Sequence, residues 1–210
     1  MKHKKGTALI TLGLLLIAAA LSLVAYNLSE SHTARQFDAE VVELMCETLY
    51  SEAAQKDTAA IDAAEDVVLP DYLRDPEMEM PVQTIDGQDY IGVLSIPALD
   101  LELPVISQWS YPGLRVAPCR YQGSAYTNDL IIAAHNYSTH FGNLKTLQEG
   151  DSIFFVDVRG NAFSYEVAAL ETLAPTATEE MASGDWDLTL FTCTVGGQSR
   201  VTLRCVREKT

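Results

Sequence analysis

The stretch LTLFTCTVGGQSRVTLRC, residues 188–205, places Cys193 in a threonine-rich alternating run and Arg200 just after a Gly-Gly turn. A cysteine acts as a nucleophile through its thiolate, and attack on a carbonyl requires a partner that can take and return a proton. The chain has four histidines: His3, His32, His135 and His140. His3 lies among N-terminal basic residues and His32 in a polar segment, so neither is placed for chemistry. His135 ends the apolar run DLIIAA and opens the loop HNYSTHFG; the end of a rigid strand is a common station for a catalytic group. His140 in the same loop reads as a surface residue. Taken alone, a cysteine on a strand is more often a small buried hydrophobe, and His135 is equally readable as a structural histidine.

Strand parity separates these readings. Side chains alternate faces along a strand. Leu188, Leu190 and Thr192 share one face, and Thr189, Phe191 and Cys193 share the other. After the turn, Val201, Leu203 and Cys205 form the apolar set, while Arg200, Thr202 and Arg204 point outward. Cys193 and Arg200 are therefore expected on the outer face of one antiparallel hairpin, close to its turn. A guanidinium beside a thiol favours the thiolate.

The elements that must hold these residues are mostly strands. YIGVLSIP, LELPVI, DLIIAAH, DSIFFVDV, AFSYEVAALETL, DLTLFTC and SRVTLRCVR are short runs rich in Val, Ile, Phe, Leu and Thr, punctuated by Gly, Pro and Asn. They predict a mainly β domain over 88–210, a barrel or sandwich of seven to eight strands. HFGNLKTLQEG predicts a helical turn or two. Residues 27–87 read as an acidic stalk, with a helical stripe through Val41, Val42, Leu44, Met45, Leu49 and Tyr50 and then a proline-rich linker. That stalk is expected to contribute little to the core. Residues 1–6 form a basic tail, and 7–26 an apolar run of about 20 residues, long enough to span a bilayer. The run is too long for a cleaved signal peptide. Flanking charge predicts a single-pass anchor with the rest of the chain outside the cell. A net charge of −15 excludes a nucleic-acid partner.

The Thr-Leu-Phe-Thr-Cys element, a downstream arginine, an upstream strand ending in His-Asn followed by FGNLKTL, and the N-terminal anchor together resemble the sortases. These are membrane-anchored cysteine transpeptidases of Gram-positive bacteria. The resemblance runs from Tyr90 to Glu208 and implies a closed β-barrel. It implies Cys193 as nucleophile, His135 as general acid/base and Arg200 as the oxyanion-stabilising residue, with Thr192, Phe191 and Asn136 touching substrate. It implies as partners surface proteins bearing C-terminal sorting signals of the LPxTG kind. The amine acceptor would be a peptidoglycan precursor or a pilin lysine. No cofactor and no metal are implied. Ala134 stands where a glycine is common, and the link from Cys193 to Arg200 is short.

Two other classes compete. An L,D-transpeptidase carries its cysteine in a Ser-His-Gly-Cys-like element, unlike LFTCT. A non-enzymatic surface module, such as an adhesin, is the second. Among the remaining thiols, Cys205 is expected in the core, Cys46 in the stalk stripe and Cys119 in packing, with no disulfide.

Overall fold

The computed structural model of the protein describes residues 10–26, 29, 36, 38–47 and 69–208. The seven predicted runs appear as strands, and two more join them: β1 (Gln83–Ile85), β2 (Gln88–Ile96), β3 (Leu101–Ile106), β4 (Cys119–Gln122), β5 (Leu130–Ala134), β6 (Ser152–Asp157), β7 (Ala162–Leu173), β8 (Leu188–Cys193) and β9 (Arg200–Arg207). Their order is β1-β2-β3-β4-β5-β8-β9-β7-β6, and β2 also pairs with β6. That last pairing closes eight strands into a barrel and leaves β1 as an appended edge. Closure removes the open sheet edges that would otherwise invite aggregation.

The two unforeseen strands have local causes. β1 and β2 form a hairpin through Asp86 and Gly87, both with positive φ (50° and 78°). An Asp-Gly pair of that kind matches the right-handed twist of its flanking strands. β4 is four residues between a proline and a glycine, too short to show a period.

Side chains such as Leu94, Ile132, Phe155, Leu190 and Leu203 fill the main core. The predicted helical turn is the short 3-10 helix Leu144–Thr146, and other short helices occupy Asp71–Leu73, Pro97–Leu99, Tyr111–Leu114 and Thr178–Ala182.

Residues before 88 contribute more than a stalk should. Met80 is buried in the core, and Tyr72 stacks on Tyr126 with ring centroids 4.7 Å apart. Residues 38–47 are helical, and Val41 and Met45 pack with Tyr90, Ile106, Cys119 and Ala133 in a second apolar layer. Each such buried side chain is worth about 1.5–3 kcal/mol. Of the predicted stripe, Val41, Val42 and Met45 are buried and Leu44 is exposed, while Leu49 and Tyr50 lie outside the described residues.

Residues 10–26 are helical and exposed. Among the described residues no helix is long and apolar enough to cross a membrane. The basic tail, 1–6, and the start of the apolar run lie outside the described residues.

Candidate active site

Strand register brings the reactive residues to one end of three neighbouring strands. β5 and β8 run parallel, with Ala134 opposite Thr192. The next residues, His135 and Cys193, thus leave adjacent strand ends side by side. β8 and β9 run antiparallel, and Cys193 is directly opposite Arg200. His135, Cys193 and Arg200 form a row across β5, β8 and β9, and all three are half-buried. Cys193 and Arg200 thus face each other across one antiparallel hairpin close to its turn, as strand parity predicts.

The supports of this row are specific. Thr192 turns inward, is buried, and donates its hydroxyl to the Ala134 carbonyl at 2.8 Å. It ties the two strand ends together just before Cys193 and His135. A buried hydroxyl spent in this way is a strand clamp. Phe191 lies on the outer face, edge-on to Tyr121 at 5.3 Å, and Tyr121 in turn meets Trp109 at 6.2 Å. Asn136 is half-buried at the mouth of the loop after β5. That loop is tight: Phe141 N donates to His135 O and Gly142 N to Tyr137 O. A Cβ on Gly142 would lie 2.6 Å from Asn136 O, so only glycine lets the loop close there.

The turn between β8 and β9 is equally defined. Gly197 N donates to Thr194 O, Thr194 N donates to Ser199 O, and Gly196 and Gly197 have φ of 85° and 72°. The Arg200 guanidinium donates to Gly197 O and Ser199 O, both at 3.3 Å. These are long bonds, weakly made.

The other thiols are set apart. Cys119 is buried in the second apolar layer and Cys205 in the core, as expected from packing. Burial pushes the Cys119 thiol up to about 11 and the Cys205 thiol up to about 12. Cys46 is half-buried, and burial followed by the charge of Glu102 also raises it. All four cysteines are free. Among the described residues no group of three His, Cys, Asp or Glu side chains could hold a metal.

Cavities flank the barrel. One of about 520 Å³ lies toward the Gln122 end of β4 and has Trp109 and Tyr121 in its wall. Because β4 is antiparallel to β5, that end is the far one from Cys193. Another, about 900 Å³, opens between Ser138, Thr139 and the Asp38–Glu43 side of the helix, at the His135 end.

Residues 94–208 match the family model of the sortase domain. The chain belongs to the sortase family. Sortase A of Bacillus anthracis is a relative, 28% identical over 121 residues. That match covers 55% of this chain and 57% of the relative, so it spans little more than half of that protein. Sortase D5 transpeptidase of Clostridium perfringens superposes with a TM-score of 0.58 at 19% identity, covering 83% of this chain and 99% of that one. Sortase C of Streptococcus pneumoniae gives 0.56 at 21%, covering 81% and 97%. At such identities these two structures speak for the fold, a sortase barrel.

Two features of this sortase escaped the sequence reading. Arg204, expected to point into solvent, is only 2% exposed. It lies beneath the helix Thr178–Ala182 and donates to Glu180 O, Met181 O, Thr189 Oγ1 and Glu171 Oε2 at 2.6–3.1 Å. His140, read as a surface residue, is fully buried, and its Nε2 meets Asp38 Oδ2 at 2.9 Å. No short-range pattern could have shown either contact, since the partners come from distant segments.

Proposed function

We propose that this sortase cleaves a sorting-signal peptide bond of the LPxTG kind through a thioester on Cys193 and passes the acyl group to an amine. The row of His135, Cys193 and Arg200 across three adjoining strand ends carries this reading. The Cys193 thiolate adds to the scissile carbonyl carbon, and the carbonyl oxygen becomes an oxyanion. Collapse breaks the C–N bond; the leaving amine takes a proton from the His135 imidazolium, and the acyl group stays on Sγ. The acceptor amine then adds to the thioester and gives its proton to the neutral His135 imidazole, and the C–S bond breaks to restore the thiolate. Arg200 exchanges its two long bonds to the turn carbonyls for bonds to the oxyanion. Phe191 supplies an apolar floor beside Cys193, and Asn136 a polar group at the loop mouth.

The substrates in this reading are surface proteins ending in sorting signals. The acceptor is a peptidoglycan precursor amine or a pilin lysine. The apolar run over 7–26 holds the enzyme in the cell membrane as a single-pass anchor, with the barrel outside. Incubating the full-length protein in detergent with fluorogenic LPxTG-like and NPxTx-like peptides, with and without an added amine, tests the reaction. Cleavage together with a mass-detected Cys193 acyl adduct is the expected result. Absence of both from every peptide would remove the transpeptidase reading and favour a non-catalytic surface module.

A further inference from the structure

The structure shows a continuous line of contacts between the helix at residues 38–47 and His135. Asp38, at the start of the described helix and 3% exposed, pairs with the fully buried His140. The His140 ring lies 5.5 Å from the Tyr137 ring, and Tyr137 lies 5.0 Å from the His135 ring. Backbone bonds run the same way: His140 N donates to Tyr137 O, and Phe141 N to His135 O. A carboxylate and an imidazole removed from water are costly unless paired, so a buried pair bridging two segments sets their relative position sharply. Among the described residues, Asp38 Oδ1 and His140 Nδ1 have no hydrogen-bond partner. Burial is the leading influence on Asp38 and raises its pKa, against the opposing pull of His140.

We propose that Asp38 and His140 form a latch through which the docked helix fixes the loop after β5 and so orients the His135 imidazole. Neither residue reaches a reacting atom; both are positioning residues. The proposal rests on the reading of His135 as the proton carrier, and it assigns residues 38–47, which precede the matched sortase domain, a part in the chemistry. Small misplacements of a catalytic group cost rate out of proportion to their size, up to about 10²-fold for 1 Å.

The test uses the full-length protein in detergent with isotope-labelled histidine. Asp38→Asn and His140→Gln keep size and some hydrogen-bonding capacity, so the helix can remain docked; Val41→Asp is the variant that undocks it. In Asp38→Asn and His140→Gln, kcat on a sorting peptide is expected to fall about tenfold or more with KM within twofold, and the His135 ring resonances to shift or broaden. Val41→Asp should reproduce the His135 change while the pair residues themselves are intact. Unaltered His135 resonances in all three variants would overturn the latch, as would a kcat within twofold of the parent. If the parent protein cleaves no peptide, the transpeptidase reading fails, and the His135 spectra still decide whether the latch exists.

Discussion

Arg200 and Arg204 stand on the same face of the same strand, and the two ends of β9 treat them oppositely. At the Arg204 end, the segment between β7 and β8 folds back as the helix Thr178–Ala182 and lays its final carbonyls on the guanidinium. Arg204 thus donates to two of the carbonyls that a helix leaves without an intrahelical partner at its C-terminus, Glu180 O being shared with Ser183. At the Arg200 end the guanidinium is half-buried and rests on two long bonds to turn carbonyls. Parity assigns a side chain to a face, but only a covering segment decides whether that face is solvent, core or groove. One arginine is thus locked into structure by short bonds, and the other keeps only two long bonds to turn carbonyls.

The sharpest way to test that division begins with the thiol opposite Arg200. Cys193→Ala should abolish peptide cleavage and adduct formation while leaving the melting temperature within a degree or two; residual turnover would place the nucleophile elsewhere. Next in size, Arg200→Ala should lower kcat/KM by about 10²–10³-fold, as loss of an oxyanion donor does. Its cost in stability should be under about 0.5 kcal/mol, because the half-buried guanidinium makes only two long bonds. Arg200→Lys retains charge but not the planar fork and should still lose about tenfold. A denaturant titration run beside the kinetics separates the two effects. Arg204→Met should behave inversely: about 2–4 kcal/mol of stability lost, because buried carbonyls and a hydroxyl lose their donor. Its kcat, measured well below the melting point, should stay within a few fold. A stable but inactive Arg204→Met protein would erase the contrast. Last, iodoacetamide at pH 8 should modify Cys193 first and Cys46 more slowly. Cys119 and Cys205, enclosed and held protonated at that pH by pKa values near 11 and 12, should stay unmodified until the protein unfolds. Peptide mapping of a time course reads the order directly.

What the sequence made legible follows from the range of the contacts involved. The hairpin Leu188–Arg207 was readable because period-two alternation and a Gly-Gly turn are local signals, and the observed pairing of Cys193 with Arg200 is what they dictate. His135 was readable as a strand end because DLIIAA is a continuous apolar run, buried along its length in β5. Thr192 was placed on the correct face, yet its partner is the Ala134 carbonyl on a strand far earlier in the chain. The burial of His140 depends on Asp38, 102 positions away, and that of Arg204 on a helix inserted between two strands. β1 did leave a signal, the Asp-Gly pair after QTI, but the acidic, proline-bearing context around it reads as linker. Composition misleads there because Met80 and Tyr72 bury themselves among neighbours that are mostly polar.

The docked helix also shortens the leash. A chain reaches at most about 3.3–3.6 Å per residue. If residues 27–87 were all free tether, the barrel could roam roughly 200 Å from the proposed anchor. With residues 38–47 seated on the barrel, only residues 27–37 separate it from the end of the apolar run, a span of no more than about 40 Å. Under the proposed topology the enzyme is therefore confined to a thin zone above the lipid surface. It would meet substrates while they are still close to the membrane, and the local concentration of membrane-held partners would be correspondingly high.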